Sequence, residues 1–282
     1  MQLFDPPDAK HFCSSVHPVK PGMTQSLGHF HRSLKRTRRL QEGTPHFDIH
    51  RVNLLHSTER WLALSVAHYR RAIEMLVPIS APWAQVTLYY ASFFGANALL
   101  GMFGGWVGSS YGRTDLVDVA IGNAGAQILR ITRNAKSPNQ AGGSHRAFWD
   151  FFYAGGARLV AWTPTELVPA LHPVNGDYAW QINERNNVNY DMFEAWSAVS
   201  LLHTSFTPAR FDSLSGHLAL QLEATEGIVL LAQYFADELG LSGAALHGCG
   251  AAGNTRRQLQ RSLVNRGTPN IVKQTALQTL LS

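Results

Sequence analysis

The stretch from Leu88 to Leu100, LYYASFFGANALL, decides the fold, because its residues would be apolar nearly all the way round a helix. A helix with a single apolar stripe lies at a surface, whereas a helix that is apolar on every side is buried among other helices. Ser80 is placed to cap its start, and Pro82 suits the first turn. The sequence therefore predicts a buried helix at the centre of a mainly α-helical domain.

The same helix raises the question of a membrane span, since residues 75–112 contain no Asp, Glu, Lys or Arg. Gly101 and Gly105 form a G-x-x-x-G pair, a spacing that suits packed membrane helices. Against a span, Gln85 and Asn97 are polar, and the uninterrupted apolar run is shorter than the ~20 residues that a bilayer requires. We expect a buried helix and no membrane association.

Helical periodicity continues on both sides of the core helix. Ser57 is placed to cap an upstream helix, whose apolar residues recur every three or four positions. These residues are Leu62, Val66, Tyr69, Ile73 and Leu76. Downstream, a short apolar stripe covers 192–202, and a long one runs from Phe211 to Leu239 before Gly240. The pattern predicts an antiparallel helical bundle.

Residues 106–143 interrupt the helical pattern with a change of period. Val117, Val119 and Ile121 alternate with other residues, and Gly122–Gly125 supplies turn chemistry before a second apolar run. We expect a small β-hairpin inserted into the bundle. The predicted domains are a basic N-terminal arm over 1–50, the helical domain over 51–245 and a helical tail over 246–282.

Charge and cysteine content narrow the classes of protein. The 282 residues carry a formal net charge of +5, yet only 15% of them are charged, against roughly 25% in typical globular proteins. The low fraction of charged residues predicts that apolar surface is covered by a second copy of the chain, as in a homodimer, or by another protein partner. Cys13 and Cys249 suggest no disulfide framework, and residues 1–7 do not resemble a secretory signal, so we expect a cytoplasmic location.

The N-terminal arm carries five basic residues within eight positions. These residues are Arg32, Lys35, Arg36, Arg38 and Arg39. Such a run either contacts the phosphates of a nucleic acid or forms a solvated charged surface. The sequence alone does not decide between a phosphate-binding run and a solvated surface.

Two other patterns carry less information. Gly248–Gly253 satisfies G-x-G-x-x-G, but the preceding helix and the absence of a βαβ pattern argue for a loop rather than a dinucleotide site. Cys13, His17, His29 and His31 are rich in metal-ligating side chains, but their spacing matches no standard structural zinc site. We expect neither a cofactor nor a bound metal.

Three segments resemble, in their order, the motifs of HEPN domains, particularly small bacterial ones from toxin–antitoxin and defence systems. Tyr89–Leu100 matches a helix of the form Tyr-Tyr-x-x-Phe followed by Ala-Leu-Leu. Ser144–Phe152 begins with Ser-His and contains several Phe residues, and Glu184–Asp191 contains an Arg followed by Asn and Tyr. The resemblance covers approximately residues 57–240.

The resemblance implies a metal-independent endoribonuclease site built on a dimer. Arg185 and the polar Asn186 match the start of the catalytic motif, in which the guanidinium stabilises charge on the scissile phosphate. The position of the motif's histidine is occupied by Tyr190, whose phenol, with an ordinary pKa of about 10, is a poor base at neutral pH. His145 is an alternative source of the imidazole. A structural alternative pairs Arg185 with an acidic neighbour, Glu184 or Asp191.

Two functions follow from the resemblance. The first is a HEPN-like protein of a prokaryotic defence or toxin–antitoxin system that binds RNA and, if it is an enzyme, cleaves RNA without a metal. The second is a non-catalytic interaction subunit that has the HEPN fold and pairs with a partner such as an antitoxin. Arg185, Asn186, Tyr190 and His145 are the candidate catalytic residues in the first case.

Overall fold

A computed structural model describes residues 6–14, 27–34, 37–75, 81–110, 113–121, 125–136, 144–190 and 216–241. These residues are mostly helical, with one small antiparallel sheet. The helices are α1 (Pro6–Ser14), α2 (Leu27–Ser33), α3 (Pro45–Glu74), α4 (Ala81–Met102), α5 (Ser144–Gly156), α6 (Trp180–Tyr190) and α7 (Gly216–Glu238). The strands are β1 (Arg39–Gln41), β2 (Trp106–Ser110), β3 (Arg113–Ile121) and β4 (Gln127–Thr132), and short 3-10 helices cover Ala157–Trp162, Thr165–Leu171 and Val174–Gly176.

The described residues divide into two compact units. The first takes its residues from 1–61, 97–163 and 235–253, and the second from 62–96, 164–234 and 254–282. Helices α3, α4 and α7 each contribute residues to both units. The candidate site at Arg185 belongs to the second unit, and the sheet belongs to the first.

The sheet of the first unit has the strand order β1-β4-β3-β2, and every neighbouring pair is antiparallel. Strands β3 and β4 form the hairpin that the alternating residues predict, and Val117 lies opposite Ile131 on its buried face. The hairpin is only half of the sheet, because β2 and β1 extend it on either side. Strand β1 has three residues, too few for an alternating pattern to be visible in the sequence.

The segment predicted as an N-terminal arm is part of the first unit's core. Phe12, Phe30, Leu40 and Phe47 are all buried there. The Phe12 and Phe47 rings meet edge to face, with centroids 6.4 Å apart. The described part of the segment expected as an arm over 1–50 thus belongs to the same compact unit as residues 51–61, and its apolar side chains are buried despite the surrounding prolines and basic residues.

Helix α3 begins at Pro45, twelve residues before Ser57, the residue expected to cap its start. The Thr44 hydroxyl accepts a hydrogen bond from the Phe47 N–H at 3.4 Å, and Pro45 occupies the first turn, as prolines commonly do. Ser57, the expected N-cap, lies inside the helix and donates to the Asn53 carbonyl at 2.9 Å. The first turns of α3 bury polar side chains such as His50, so the apolar stripe becomes visible only after Ser57.

In the second unit, α3, α4 and α7 share one apolar cluster. Its buried members are Val66, Tyr69, Ala72, Ala84, Leu88, Ala91, Leu218, Leu222 and Val229. The Gln221 side-chain amide donates to the Gln85 carbonyl, and Ser92 donates to Thr225, both at 2.9 Å. Because the residue numbers rise together in these pairs, α7 runs parallel to α4. The prediction of an antiparallel bundle is wrong for this pair, since contacts between distant helices leave no local signal.

Two of the predicted helix ends are confirmed, and several other predicted features lie outside the described residues. Helix α4 starts beside Ser80, and α7 is followed by Gly240 with a positive φ of 70°, both as expected. The stripe at 192–202, the tail at 246–282 with its loop Gly248–Gly253, and residues Lys35 and Arg36 lie outside the described residues.

None of the helices in the described part of the chain is both long enough and apolar enough to cross a membrane. Although α4 extends over 22 residues, its buried side chains include those of Gln85, Ser92 and Asn97. The helix predicted from LYYASFFGANALL is therefore observed, and its residues are buried except for Tyr90, Phe93 and Phe94, which are partly exposed.

Candidate functional site

Helix α6 holds Arg185 at the edge of the second unit. The helix starts after Asp177, whose carboxylate accepts a hydrogen bond from the Ala179 N–H at 2.8 Å. Trp180 and Ile182 on this helix are buried, whereas Arg185 and its neighbours on either side are partly exposed. One face of the helix thus packs on the core, and Arg185 lies where that face meets solvent.

The guanidinium of Arg185 is fixed by two neighbours. Its Nε and Nη2 atoms both donate to the side-chain oxygen of Asn186, at 3.2 Å and 2.6 Å. Its central carbon lies 5.1 Å from the centre of the Tyr89 ring, within the range of a cation–π contact. Tyr89 is fully buried and stacks on Phe93 at 6.1 Å, so this ring is a firm support for the cation.

Arg185 carries a positive charge that no described carboxylate neutralises. Within residues 6–241 and outside their masked gaps, its side chain makes no ion pair. In particular, the expected pairing with Glu184 does not form, while Asp191 lies outside the described residues. A partly buried guanidinium without a counterion can accept an anion such as a phosphate.

The other candidate catalytic residues are not all gathered at this position. Asn186 contacts Arg185 directly. Tyr190 is the last residue of α6, and its side chain is outside the described part of the chain. His145 is the second residue of α5 and belongs to the first unit. The described geometry therefore joins two of the four residues, Arg185 and Asn186.

The basic run of the N-terminal segment is exposed where it is described. Arg32 lies in the last turn of α2, and Arg38 and Arg39 lead into β1. Arg39 is opposite Arg130 in the ladder, and Arg130 is itself ion-paired with Asp118. Arg38 and Arg39 thus lie at the β1 edge of the sheet, whereas Arg32 belongs to α2, which contacts β2 at the opposite edge. All three side chains are exposed and can contact an anionic surface.

A buried polar cluster in the first unit has no counterpart in the sequence predictions. His31 Nε2 and His50 Nδ1 are 3.0 Å apart, and the His31 ring stacks on Trp106 with centroids 4.4 Å apart. Arg133 donates to the His31 carbonyl at 2.8 Å and to Asp115 at 2.5 Å. Burial, together with the charge of Arg133, lowers the pKa of His31 to about 3, so the pair is neutral.

The described residues around this cluster do not have the arrangement of ligands that a zinc site requires. Among the described residues, no three His, Cys, Asp or Glu side chains are grouped so that they could hold a metal ion. The buried Cys13 donates its S–H to the Met102 carbonyl at 3.3 Å, and burial raises the pKa of this thiol to about 12. Metal ligation requires a thiolate, which this environment disfavours. His17 is outside the described residues.

A second buried polar group, in the second unit, could have been found from the sequence. Glu226 is four residues after Leu222 and three before Val229, so it occupies the apolar stripe of the predicted long helix. The structure buries Glu226 against the Tyr69 hydroxyl, 2.9 Å from its Oε2 atom. Burial raises the pKa of this carboxyl to about 8.

Comparison with known proteins yields no relative from which a role could be transferred. No protein-family model matches the chain, and no curated protein and no solved structure is significantly similar to it.

Proposed function

We propose that this chain binds RNA, with Arg185 as a phosphate contact, as a HEPN-like protein of a prokaryotic defence or toxin–antitoxin system. The proposal combines the sequence resemblance of the three segments with the geometry at Arg185. The net charge of +5 favours a polyanionic partner. No metal and no cofactor takes part in the proposed activity.

The observation that carries the proposal is that the Arg185 guanidinium is held in place but pairs with no described carboxylate. Arginine is a permanent cation whose donors form a planar fork that matches two phosphate oxygens. At this position, the amide of Asn186 and the ring of Tyr89 hold the fork without neutralising it. Because the side chain is already ordered, a phosphate can bind at a smaller entropic cost than it would on a free arginine.

Cleavage of the bound RNA requires a proton acceptor in addition to the cation. In the motif that the sequence resembles, a histidine supplies it, and Tyr190 occupies that position here. A phenol is a weak base at neutral pH, so we propose binding as the primary activity, with metal-independent cleavage slow or dependent on another imidazole such as that of His145.

The test is the affinity of the full chain for a labelled single-stranded RNA, measured by fluorescence anisotropy at several salt concentrations. Arg185→Ala should weaken binding at least tenfold, because a charge-assisted bidentate contact contributes about 1.5–3 kcal/mol. Arg185→Lys should recover only part of the loss, since an ammonium ion has no planar fork.

The control for this experiment is Arg60→Ala, which removes one positive charge from an exposed position of α3 in the first unit. It should change the affinity little. If the Arg60 and Arg185 variants lost the same amount of RNA affinity, the affinity would depend on the net charge of the chain alone and not on a contact at Arg185. No binding by the wild-type chain would refute the proposal.

A second candidate function, the interaction subunit, is favoured by exposed apolar side chains. In the first unit, the 3-10 helix Ala157–Trp162 leaves Val160 36% exposed and Trp162 53% exposed. Large apolar side chains at a surface are typical of protein contacts. Sedimentation of the wild-type chain and of Trp162→Ser tests this, because loss of a dimer or of an antitoxin-like partner in the variant would support the second function.

A further inference from the structure

An aromatic stripe follows the partly exposed face of α4 in the second unit. Trp83, Thr87, Tyr90 and Phe94 are spaced four, three and four residues apart, so they lie on one face of the helix. The Trp83 side chain is 63% exposed, and those of Tyr90 and Phe94 are partly exposed. A helix that served only as core packing would not need large rings on this face.

Helix α3 adds a fourth ring to the stripe. The His68 ring lies 5.2 Å from the Phe94 ring and 6.3 Å from the Tyr90 ring, measured between centroids. Its burial lowers the pKa of His68, so at neutral pH this side chain is an uncharged aromatic ring. The stripe, defined here as Trp83, Tyr90, Phe94 and His68, therefore offers flat π faces without a formal charge of its own.

The stripe is linked through ring contacts to the candidate phosphate contact. Tyr89 lies edge-on to Tyr90, with centroids 5.3 Å apart, and it is also the ring over which the Arg185 guanidinium lies. Tyr89 stacks on Phe93, which in turn contacts Phe94 at 6.1 Å. A cation that pairs with no described carboxylate and a row of partly exposed rings thus belong to one contiguous part of the second unit.

We propose that this stripe stacks the unpaired bases of an RNA strand whose phosphate is held at Arg185, an inference that rests on the proposed function. Every nucleobase has a π face that can stack on an aromatic side chain, and stacking combined with cations along the backbone is the general way in which proteins hold single strands. The bases of a duplex are already stacked on one another, so the stripe selects single-stranded or splayed segments.

Charge complementarity favours a nucleic acid over a protein as the occupant. The stripe adjoins Arg185, which has no described counterion, and the whole chain carries a net charge of +5. A partner that offers both flat rings and negative charge at short, regular intervals matches this combination of surfaces. An apolar protein surface would match the rings but leave the cation without a counterpart.

The experiment uses the full chain with three probes: a short oligouridylate, an oligomer of the same length with abasic sites, and a duplex RNA. Trp83→Ala is the main variant, since its exposed ring can be removed without disturbing the core. Ile121→Ala, which truncates an exposed apolar side chain of the first unit, is the control. Tyr90→Leu is the second variant and keeps apolar bulk while removing the π face.

We expect Trp83→Ala and Tyr90→Leu each to weaken oligouridylate binding about fivefold or more, as the loss of one base–aromatic stack would. The abasic oligomer should bind weakly to wild type and be insensitive to both variants. The dependence of affinity on salt should stay unchanged in Trp83→Ala, whereas Arg185→Ala should reduce its slope by about 0.7 for the one lost phosphate contact.

Three outcomes would overturn the inference. If wild type binds the normal and abasic oligomers equally, or if Trp83→Ala matches Ile121→Ala, the bases do not stack on the stripe, although the phosphate contact at Arg185 still stands. If Trp83→Ala leaves RNA binding intact but changes the sedimentation coefficient, the stripe is a protein interface. If wild type binds no RNA, the proposed function fails together with this inference.

Discussion

The Tyr69 hydroxyl donates a hydrogen bond to Glu226 Oε2 at 2.9 Å in the interior of the second unit. Both side chains are about 2% exposed, and burial is the main reason that the pKa of Glu226 rises to about 8. The carboxyl is therefore protonated at neutral pH, which avoids placing an uncompensated charge among the apolar residues of α3, α4 and α7.

The first prediction is that the protein loses stability as the pH rises towards alkaline values. The folded-state pKa of Glu226 lies near 8 and the usual value is 4.5, so the folded chain holds a proton that the unfolded chain releases between these values. The contribution of Glu226 is fully present below pH 4.5 and is lost as the pH rises through about 8.

Glu226→Gln tests this prediction, because an amide has nearly the same shape and does not titrate. Urea unfolding should show the variant to be more stable than wild type above pH 8, by on the order of 1–3 kcal/mol. Glu238→Gln, a change at an exposed carboxyl of the same helix, is the control. Identical pH profiles for wild type and Glu226→Gln would contradict the assignment of a protonated carboxyl.

A second prediction concerns acid pH and the His31–His50 pair. Burial lowers the pKa of both imidazoles below the usual value of 6.5, and for His31 the charge of Arg133 adds to this effect. A lowered pKa in the folded state means that the unfolded chain binds more protons. The stability from this pair is therefore present above pH 6.5 and is lost as the pH falls below it.

His50→Leu removes one member of the pair and leaves His31 Nε2 without this partner. We expect a loss of about 1–3 kcal/mol at neutral pH from the unsatisfied nitrogen. Below pH 6, the gap to wild type should narrow, because the variant has one fewer buried imidazole to charge. His29→Ala, at an exposed position of α2, should follow the wild-type profile. A gap that widens in acid would argue against a neutral pair.

The ion pair between Arg133 and Asp115 supports a third prediction. Their side chains are only 15% and 6% exposed, and Arg133 also donates to the His31 carbonyl. Arg133→Ala leaves a buried carboxylate uncompensated, which should cost about 3–5 kcal/mol in unfolding free energy. In contrast, Arg71→Ala breaks an exposed pair with Glu74 and should cost less than about 1 kcal/mol. Similar melting temperatures for the two variants would contradict the prediction that the buried ion pair contributes more to stability than the exposed one.

The sequence could predict elements whose signals are local. The all-apolar run at Leu88–Leu100 predicts α4, and the alternation around Val117 predicts the β3–β4 hairpin. The start of α3 could not be predicted, because its first turns bury the polar side chains of His50 and Asn53, which interrupt the apolar stripe. Strand β1 was missed because three residues joining a distant strand leave no periodic pattern.

In the candidate site, too, contacts between neighbours in the sequence could be predicted, whereas contacts between distant helices could not. Contact between Arg185 and Asn186 follows from their adjacency in the chain, so the motif alone could indicate it. The Tyr89 ring below the guanidinium comes from α4, almost a hundred residues earlier, and depends on how α6 packs in the second unit. The buried Glu226 was detectable as an acidic residue on an apolar stripe, but its partner Tyr69 was not, because only tertiary packing brings α3 to α7.

The last prediction concerns catalysis and Tyr190. Tyr190→His places an imidazole five residues after Arg185 on α6, where the resembled motif has its histidine. An imidazole with a usual pKa of about 6.5 can exchange a proton with the 2′-hydroxyl or the leaving group near neutral pH, which a phenol does poorly. We therefore expect the variant to cleave single-stranded RNA in the presence of EDTA at least about 100-fold faster than wild type, the lower end of general acid–base contributions.

Two further variants show whether any such gain comes from this site. Arg185→Ala in the Tyr190→His background should abolish the gained cleavage, because the cation that stabilises the phosphate is gone. Its effect on stability should stay within about 1 kcal/mol, the contribution of one cation–π contact at a partly exposed site. Tyr190→Gln, which introduces a side chain that cannot act as a base, should remain as slow as wild type. Cleavage that persists without Arg185, or a large drop in melting temperature on its removal, would instead identify Arg185 as a structural residue and leave the interaction-subunit function as the better account.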